Sequence, residues 1–273
     1  MRVRLPRRAA AGVVLALVAV GACGTGGARP DGSGRGAEET TVRVAAAADL
    51  KFALDEVVEL VETEHPGIDV DPVYGSSGTF LQQIENGAPF DLYLSADLSY
   101  PRALVESGKA TEADLFPYAI GRLVLWVPDS SPVDPEDGLR VLTDPRLRRV
   151  SIANPEHAPY GEAAVAALMT EEVYEEVRPK LVLGENVAQA AEFVQSGNAD
   201  AGIVALSLVL AAPVRNVGRW HELPLDLYPR LDQGGVVLAG ARDVDAARTV
   251  RDVLLGEAGV EILARYGFSL PGE

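Results

Sequence analysis

The sequence predicts an α/β fold in which two lobes face each other across a cleft. Short apolar runs with the period of a β-strand alternate along the 273 residues with stretches whose apolar residues recur at helical spacing. This alternation favours largely parallel sheets that helices cover on both faces. The predicted elements outnumber those of one small doubly wound sheet, and no repeat of about 20 to 50 residues indicates a solenoid. Two lobes account for these elements.

The elements of the first half follow from apolar periodicity. Residues 41–48 alternate and then become alanine-rich, which predicts a strand, and the helix that follows presents Leu54, Val57 and Val61 on one face. Asp49 stands between the two, where a carboxylate can cap the helix by accepting a backbone N–H hydrogen bond. The remaining elements predicted here are a strand over 68–74, a helix over 79–85, a strand over 90–94 and a helix over 100–107.

The second half has its most apolar strand at 121–127, with the sequence GRLVLWV. A short strand over 150–153 runs through the loop ANPEHAPYG into an alanine-rich helical pattern after Tyr160. A further helix is predicted to begin at Val187. The remaining elements predicted are strands over 180–183, 202–205 and 235–239 and helices over 245–255 and 257–266.

The N-terminus is typical of an export signal. Four arginines precede the apolar run from Ala9 to Val20, which is too short for a comfortable membrane span. We therefore predict a signal peptide over residues 1–22. Cys23 is the only cysteine, and the Val-Gly-Ala before it resembles the bacterial lipoprotein signal, in which this cysteine is acylated. A plain cleaved signal with an incidental cysteine is the alternative.

Residues 23–40 are rich in glycine and charged residues and contain little to bury, which predicts a flexible tether. With an acylated Cys23, this tether would hold the folded part at the outer face of the cell membrane or in the periplasm. The residues from Thr41 onward are numerous enough to bury one large core or two modest ones.

The charge of the chain restricts what it can bind. The formal net charge is −16, and the predicted signal peptide carries four arginines and no acid, so the exported part is more acidic still. Such a field opposes binding to nucleic acid or to an anionic membrane. Any anion that this protein binds must therefore be held by short-range hydrogen bonds and dipoles.

Four places in the chain combine the end of an extended segment with the start of a helix. A helix start leaves backbone N–H groups free at the positive end of the helix dipole, which can bind an anion without a basic side chain. In open α/β sheets such turns gather at the carboxyl ends of the strands, where ligands bind. Ordinary helix capping produces the same pattern, so spacing alone leaves both alternatives open. The four places are Asp49, Ser76–Ser77, Tyr160–Gly161 and Asn186–Val187.

A family resemblance favours the anion site. The segments that carry it occur in order after residue 40, and together they are specific although each is weak by itself. They are AAAADL at Ala45, YGSSGTFLQQIENGAPFDLYLSAD at Tyr74, YAIGRLVLWV at Tyr118, IANPEHAPYG at Ile152, GENVAQAAEFV at Gly184 and LARYGF at Leu263. In these segments the chain resembles the periplasmic molybdate-binding proteins, which are the substrate-capture components of ABC importers.

The resemblance implies a type II periplasmic-binding-protein fold, in which each lobe is a mixed sheet flanked by helices and the two lobes close on a tetrahedral oxyanion. We place lobe I at 41–120 plus 236–273 and lobe II at 121–235. The resemblance also implies delivery of molybdate or tungstate to a membrane permease, without enzymatic activity and without a cofactor. Molybdenum would be present only within the oxyanion. We expect a monomer that does not bind nucleic acid.

The same resemblance assigns roles to residues at the helix starts. Ser77 matches a serine whose hydroxyl and N–H donate to the oxyanion, and Tyr160 and Val187 match positions that donate backbone N–H groups. Ser76 and Asp49 complete the predicted oxyanion-binding set. Family members show serine or asparagine at the position of Asp49.

Asp49 departs from the family pattern, because an ionised carboxylate and a dianion are both acceptors only. Placing them together costs free energy unless a proton is shared or the side chain turns away. In one interpretation Asp49 caps its own helix and gives only its N–H to the ligand. In the other it accepts a hydrogen bond from a protonated oxyanion, which would favour phosphate or arsenate. A tyrosine hydroxyl that some members contribute is also missing, because Ala205 stands in that segment.

Other functions receive less support from the residues. A serine hydrolase lacks its motif, since residues 75–78 do not read G-x-S-x-G, and nothing in the sequence pairs His157 with a serine and an acid. The three histidines lack metal-ligand spacing, so no separate metal site is predicted. A structural or adhesive lipoprotein is a third class, and it would show no saturable oxyanion binding.

Overall fold

The computed structural model describes residues 40–214 and 216–272. The predicted signal peptide, Cys23 and the tether up to residue 39 therefore lie outside the described residues. Thr40, which we expected to be the last residue of the tether, is the first residue of a strand.

Ten strands in the described part of the chain form two five-stranded sheets. The strands are β1 Thr40–Ala47, β2 Ile68–Gly75, β3 Leu92–Ser95, β4 Ala110–Gly121, β5 Leu123–Val127, β6 Val150–Ala153, β7 Leu181–Gly184, β8 Ala201–Ala205, β9 Arg219–Glu222 and β10 Leu231–Leu238. The first sheet has the order β2-β1-β3-β10-β4, and the second has the order β7-β6-β8-β5-β9.

Helices flank both sheets. They are α1 Lys51–Glu64, α2 Ser77–Glu85, α3 Ser99–Glu106, α4 Pro159–Thr170, α5 Tyr174–Val177, α6 Val187–Gln195, α7 Leu206–Leu210, α8 Val244–Leu255 and α9 Glu257–Arg265. Short 3-10 turns occupy Ala48–Leu50, Pro135–Asp137, Leu139–Thr143 and Arg178–Lys180. Over residues 40–214 and 216–272, none of the helices combines the length and the apolar character that crossing a membrane requires.

Both sheets are mixed, whereas the alternation of elements favoured largely parallel ones. β1 pairs in parallel with β2 and β3, and β6 pairs in parallel with β7 and β8. β10 runs antiparallel to β3 and β4, and β5 runs antiparallel to β8 and β9. Only Arg122 separates β4 from β5, so the chain passes directly from the first sheet into the second.

The chain returns to the first sheet earlier than predicted. β10 pairs with β4 from Leu231, which lies opposite Gly121, so the predicted division between residues 235 and 236 falls inside this strand. Its start is hidden in the sequence because Asp232 and Gln233 interrupt the apolar run. The chain therefore leaves the second sheet between the end of β9 and Leu231.

The sequence pattern does not predict β4. Acidic residues and Pro117 interrupt its apolar pattern, and its position at the edge of the sheet tolerates both. Pro117 pairs with Gly234 and Ala119 pairs with Gln233, so Tyr118 is an extra residue in the ladder. Tyr118 is buried, and its hydroxyl donates to a main-chain carbonyl of β3. The short edge strand β9 is likewise absent from the sequence prediction.

Helices cover the sheets on both faces, and this packing fixes the strand ends. Around the first sheet, apolar residues of α1, α8 and α9 pack on one face, and those of α2 and α3 pack on the other. In the second sheet all residues of β5 are buried. Strands buried in this way hold the turns at their carboxyl ends in place.

Candidate functional site

A small cavity lies where the chain leaves strands of both sheets and enters helical turns. The structure places all five predicted oxyanion-binding residues around it, with residues from both lobes on opposite walls. The lining residues are Ala47, Ala48, Asp49, Gly75, Ser76, Ser77, Ala96, Ala158, Pro159, Tyr160, Asn186 and Val187.

Three helices begin at this cavity. Ser77 is the first residue of α2, Tyr160 is the second residue of α4, and Val187 is the first residue of α6. The N–H groups in the first turn of a helix have no acceptor within the helix, and the positive end of the helix dipole lies there. None of the described lining residues is basic. The arrangement can therefore hold an anion through dipoles and N–H groups alone.

Local sequence fixes where two of these helices begin. Asn186 Oδ1 accepts a hydrogen bond from the N–H of Gln189 at 3.0 Å, and Gln189 Oε1 accepts one from the N–H of Glu185 at 2.7 Å. This reciprocal capping leaves the N–H of Val187 for a ligand. Helix α4 begins with Pro159, which has no N–H to leave unpaired and whose fixed φ suits a first helical residue.

The two serines of the α2 start have different partners. Ser77 Oγ accepts a hydrogen bond from the N–H of Ala96 at 3.0 Å, so its own proton can be donated to an anion. The carbonyl of Ser77 accepts a hydrogen bond from the Tyr93 hydroxyl at 2.7 Å, which ties the first turn of α2 to β3. Ser76 Oγ instead donates to the carbonyl of His157. Of the two hydroxyls, only that of Ser77 is free to donate into the cavity.

His157 joins the two lobes in a way that the sequence does not reveal. Its Nδ1 lies 2.9 Å from Ser76 Oγ, and its carbonyl accepts from the N–H of Gly78 at 2.9 Å. Asn154 Nδ2 lies 3.1 Å from His157 Nε2, and a hydrogen bond from the N–H of Glu156 to Asn154 Oδ1 fixes that amide. These contacts make Nε2 the acceptor and place the ring proton on Nδ1.

The sequence indicates no pairing of His157 with both a serine and an acid, and in the described part of the chain its ring has a serine neighbour, Ser76, but an amide in place of an acid. The pair differs from that of a hydrolase, because Ser76 gives its proton to a carbonyl rather than to the imidazole. An amide, not an acid, lies on the other side of the ring. The contact thus holds the lobes together and does not activate the serine.

Asp49 does not cap its helix, which corrects one of the two interpretations above. It lies inside the turn Ala48–Leu50, and neither this turn nor α1 has a side-chain cap. The physical reason is that β1 runs directly into the turn, so the carboxyl group lies beside β10 instead of ahead of α1. Its Oδ2 accepts from Gln233 Nε2 at 2.6 Å, whereas its Oδ1 has no hydrogen-bond partner within residues 40–214 and 216–272, and the residue is 1% exposed. Burial raises the pKa of Asp49 to about 6.

Gln233 is a site residue that the sequence pattern does not reveal. It is fully buried on β10, its Nε2 lies 3.2 Å from Tyr160 Oη, and its Oε1 has no partner among the described residues. Burial, followed by the nearby Asp49, raises the pKa of the Tyr160 hydroxyl well above its usual range. Gln233 therefore connects Asp49 in the first lobe with α4 in the second. The one signal in the sequence is a glutamine beside two glycines in an otherwise apolar run.

Gly121 lies where the chain crosses from the first sheet to the second, directly against this network. A Cβ atom at this position would lie 2.3 Å from Tyr160 Oη and 2.7 Å from Gln233 Nε2. The site therefore has no room for a side chain at residue 121.

The segment in which the family resemblance leads us to look for a tyrosine hydroxyl ends strand β8. Ala205 is fully buried there and offers no hydroxyl. The nearest hydroxyl along the chain, that of Ser207, donates to the main-chain carbonyl of Asp49 at 2.7 Å. It supports the turn beneath the cavity.

Comparisons with known proteins identify the family. The model of the bacterial extracellular solute-binding protein family matches residues 42–269. The chain belongs to this family. This solute-binding protein is 40% identical over 227 residues to the molybdate-binding protein ModA of Rhodobacter capsulatus, covering 83% of this chain and 87% of the relative. It is 37% identical over 234 residues to ModA of Azotobacter vinelandii, covering 86% of this chain and 92% of the relative.

A solved structure agrees with the fold of this solute-binding protein. The periplasmic molybdate-binding protein of Azotobacter vinelandii superimposes with a TM-score of 0.78 at 30% sequence identity, covering 84% of this chain and 99% of that one. The predicted two-lobed fold with a mixed sheet in each lobe is thereby confirmed. The relatives are solute-binding proteins, which bind a ligand without transforming it. This confirms the predictions that the chain is not an enzyme and needs no cofactor.

Proposed function

We propose that this solute-binding protein captures molybdate or tungstate outside the cytoplasm and delivers it to the permease of an ABC transporter. One observation carries the proposal: three helix N-termini converge on a single cavity without basic side chains. The relatives at 40% and 37% identity, which are named for binding molybdate, support the same ligand.

The donors around the cavity suit a tetrahedral dianion, which offers only acceptors. The hydroxyl of Ser77 and the main-chain N–H groups of Ser77, Tyr160 and Val187 donate to its oxygens. Donors from both lobes act only when the lobes are together, and the contacts of His157 with Ser76 hold them there. Closure also excludes water, which strengthens each charge–dipole contact by lowering the local dielectric constant.

Calorimetric titration of the purified protein with sodium molybdate, tungstate, sulfate and phosphate tests the proposal. We expect saturable binding of one molybdate or tungstate ion per chain and much weaker binding of sulfate. Ser77→Ala should lower the molybdate affinity about tenfold or more, because a hydrogen bond to a charged group is lost. Ser151→Ala is the matched control, since its buried hydroxyl donates to the carbonyl of Ala190, away from the cavity. Absence of saturable heat with molybdate and tungstate would contradict the proposal.

Hydrogen phosphate is a second candidate ligand, and a specific observation favours it. Asp49 lines the cavity, and its buried Oδ1 has no hydrogen-bond partner among the described residues, so the proton of a monoprotonated anion could satisfy it. Tighter binding of phosphate than of molybdate in the same titration would identify hydrogen phosphate as the preferred ligand.

We also propose that residues 1–22 are removed, that Cys23 is acylated, and that the tether then holds a monomeric protein at the outer face of the membrane. The basic and apolar start of the chain and the Val-Gly-Ala before Cys23 support this. Metabolic labelling with a palmitate analogue should mark the wild-type protein but not Cys23→Ser, which should appear in the soluble fraction. Light scattering of the soluble variant would test the monomeric state.

A further inference from the structure

The carboxyl group of Asp49 is only half satisfied. Oδ2 accepts a hydrogen bond from Gln233 Nε2 at 2.6 Å, whereas Oδ1 is buried and no described residue is hydrogen-bonded to it. The residue is 1% exposed and lines the cavity in which the proposed ligand binds. An unpaired buried acceptor costs free energy, and a ligand in the cavity that Asp49 lines can supply a partner.

No positive charge compensates an ionised Asp49. None of the ion pairs in the described part of the chain involves it. The titratable groups that face it are the phenols of Tyr118 on β4 and Tyr160 on α4, and burial raises the pKa of both well above the usual range, so both are neutral. Its turn also packs against α1, α6, α7 and β2. Lys51 of α1 lies over the ring of Phe52.

Asp69 of β2 is half-buried, and the other charged side chains of these elements are engaged or exposed. Asp55 of α1 is exposed and accepts from the hydroxyl of Tyr74 on β2, Glu192 of α6 is exposed, and α7 has no titratable residue. A dianion in the cavity would therefore meet a carboxylate whose charge no cation of the described residues compensates. Both groups are acceptors only, and in a water-poor site their repulsion is scarcely screened.

We infer that Asp49 enters the complex as a neutral acid, keeping its bond from Gln233 at Oδ2 and donating a proton from Oδ1 to one oxygen of the dianion. Each anion bound by the ionised protein then takes up one proton from solvent, and no covalent bond changes. This inference rests on the proposed function and deepens it.

The protonation equilibrium supports this geometry. Burial already brings the pKa of Asp49 to about 6, so the proton is available at moderate cost near neutral pH. Each pH unit above that value should weaken the binding of molybdate about tenfold, because the required proton becomes scarcer. Below it the affinity should be constant.

The test is calorimetric titration of the purified protein with sodium molybdate from about pH 5.5 to pH 8, in two buffers of different ionisation enthalpy at each pH. The difference in heat between buffers gives the number of protons taken up. We expect this number to rise from about one quarter at pH 5.5 to near one at pH 8, following the ionised fraction of Asp49 in the free protein.

Asp49→Asn imitates the neutral acid, because its Oδ1 can accept from Gln233 while its Nδ2 donates to the anion. This variant should take up no proton, bind with an affinity that does not change with pH, and at pH 8 bind molybdate about a hundredfold more tightly than the wild type. Asp97→Asn is the matched control. Its carboxylate accepts from the N–H of Ser99, as an asparagine can, and it does not line the cavity.

Proton uptake that persists in Asp49→Asn would overturn the inference, as would a wild type that binds molybdate without taking up a proton at pH 8. In both cases molybdate binding itself, and hence the proposed function, would stand. A third outcome would also overturn the proposed function: neither the wild type nor Asp49→Asn binds molybdate or tungstate, and phosphate binds without proton uptake. In that case Asp49 accepts a proton that the anion brings.

Discussion

Gly121→Ala tests the packing where the chain passes from one lobe to the other. The new Cβ would lie 2.3 Å from Tyr160 Oη, whereas ordinary contact begins at 3.4 Å, so the phenol would have to move by about 1 Å. Neither neighbour can give way easily, since Tyr160 is 2% exposed and Gln233 is fully buried. Overpacking of this kind costs about 1–3 kcal/mol of the free energy of unfolding.

The displacement of Tyr160 should also weaken ligand binding. Tyr160 is the second residue of α4, so a shift of its ring moves the N–H group that we assign to the oxyanion. We expect molybdate affinity to fall about tenfold. Urea denaturation followed by tryptophan fluorescence measures the stability, and calorimetry measures the affinity.

Two further variants make this prediction specific. Gly240→Ala is the control, because no atom lies within 4 Å of the Cβ it would add. In the double variant Gly121→Ala/Tyr160→Phe the hydroxyl responsible for the shortest contact is gone. Part of the lost stability should return, although Gln233 Nε2 at 2.7 Å still crowds the methyl group. A Gly121→Ala protein as stable as Gly240→Ala, or no recovery in the double variant, would refute the steric reasoning.

Three more predictions concern the same site. Asn186→Ala removes the side-chain cap of α6, so urea denaturation should show a loss of about 1 kcal/mol, and molybdate should bind several-fold more weakly. His157→Ala removes the contact between His157 Nδ1 and Ser76 but keeps the main-chain hydrogen bonds of residue 157. Calorimetry should therefore show a loss of molybdate affinity of only about fivefold. An unchanged affinity would contradict the role of His157 in holding the lobes together. Folding raises the pKa of Asp49 from 3.8 to about 6, so the folded protein binds the carboxyl proton more tightly than the unfolded chain does. The stability that this proton contributes is lost as the pH rises through 6. Urea curves at about pH 4 and pH 8 should show the wild type losing about 2 kcal/mol more than Asp49→Asn over this interval, because an unfolded Asp49 is already partly ionised at pH 4.

Local chemistry made most of the elements predictable. The starts of α4 and α6 follow from Pro159 and from the pair Asn186 and Gln189, whose capping bonds join residues at most four positions apart. The long apolar strand β5 and the amphipathic helix α1 follow from periodicity in the same way. β4 could not be predicted, because its acidic residues and Pro117 are acceptable only at the edge of a sheet, and the edge is defined by strands elsewhere in the chain.

In the candidate site, too, the features set by local sequence could be predicted and those set by distant parts of the chain could not. The helix starts at Ser77, Tyr160 and Val187 could be recognised from the sequence and the family resemblance. The fate of the Asp49 side chain could not, because whether it caps a helix depends on how β1 enters the following turn.

By itself, the sequence determined which residues begin helices and offer backbone donors, since these properties depend on neighbours within about one turn. Only the tertiary structure decided which residues the side chains at these turns contact. Asp49 and Gln233 are separated by 184 positions, and Ser76 and His157 by 81. Contacts over such distances exist only because two sheets, with the chain crossing between them at Gly121, bring their strand ends to one cavity.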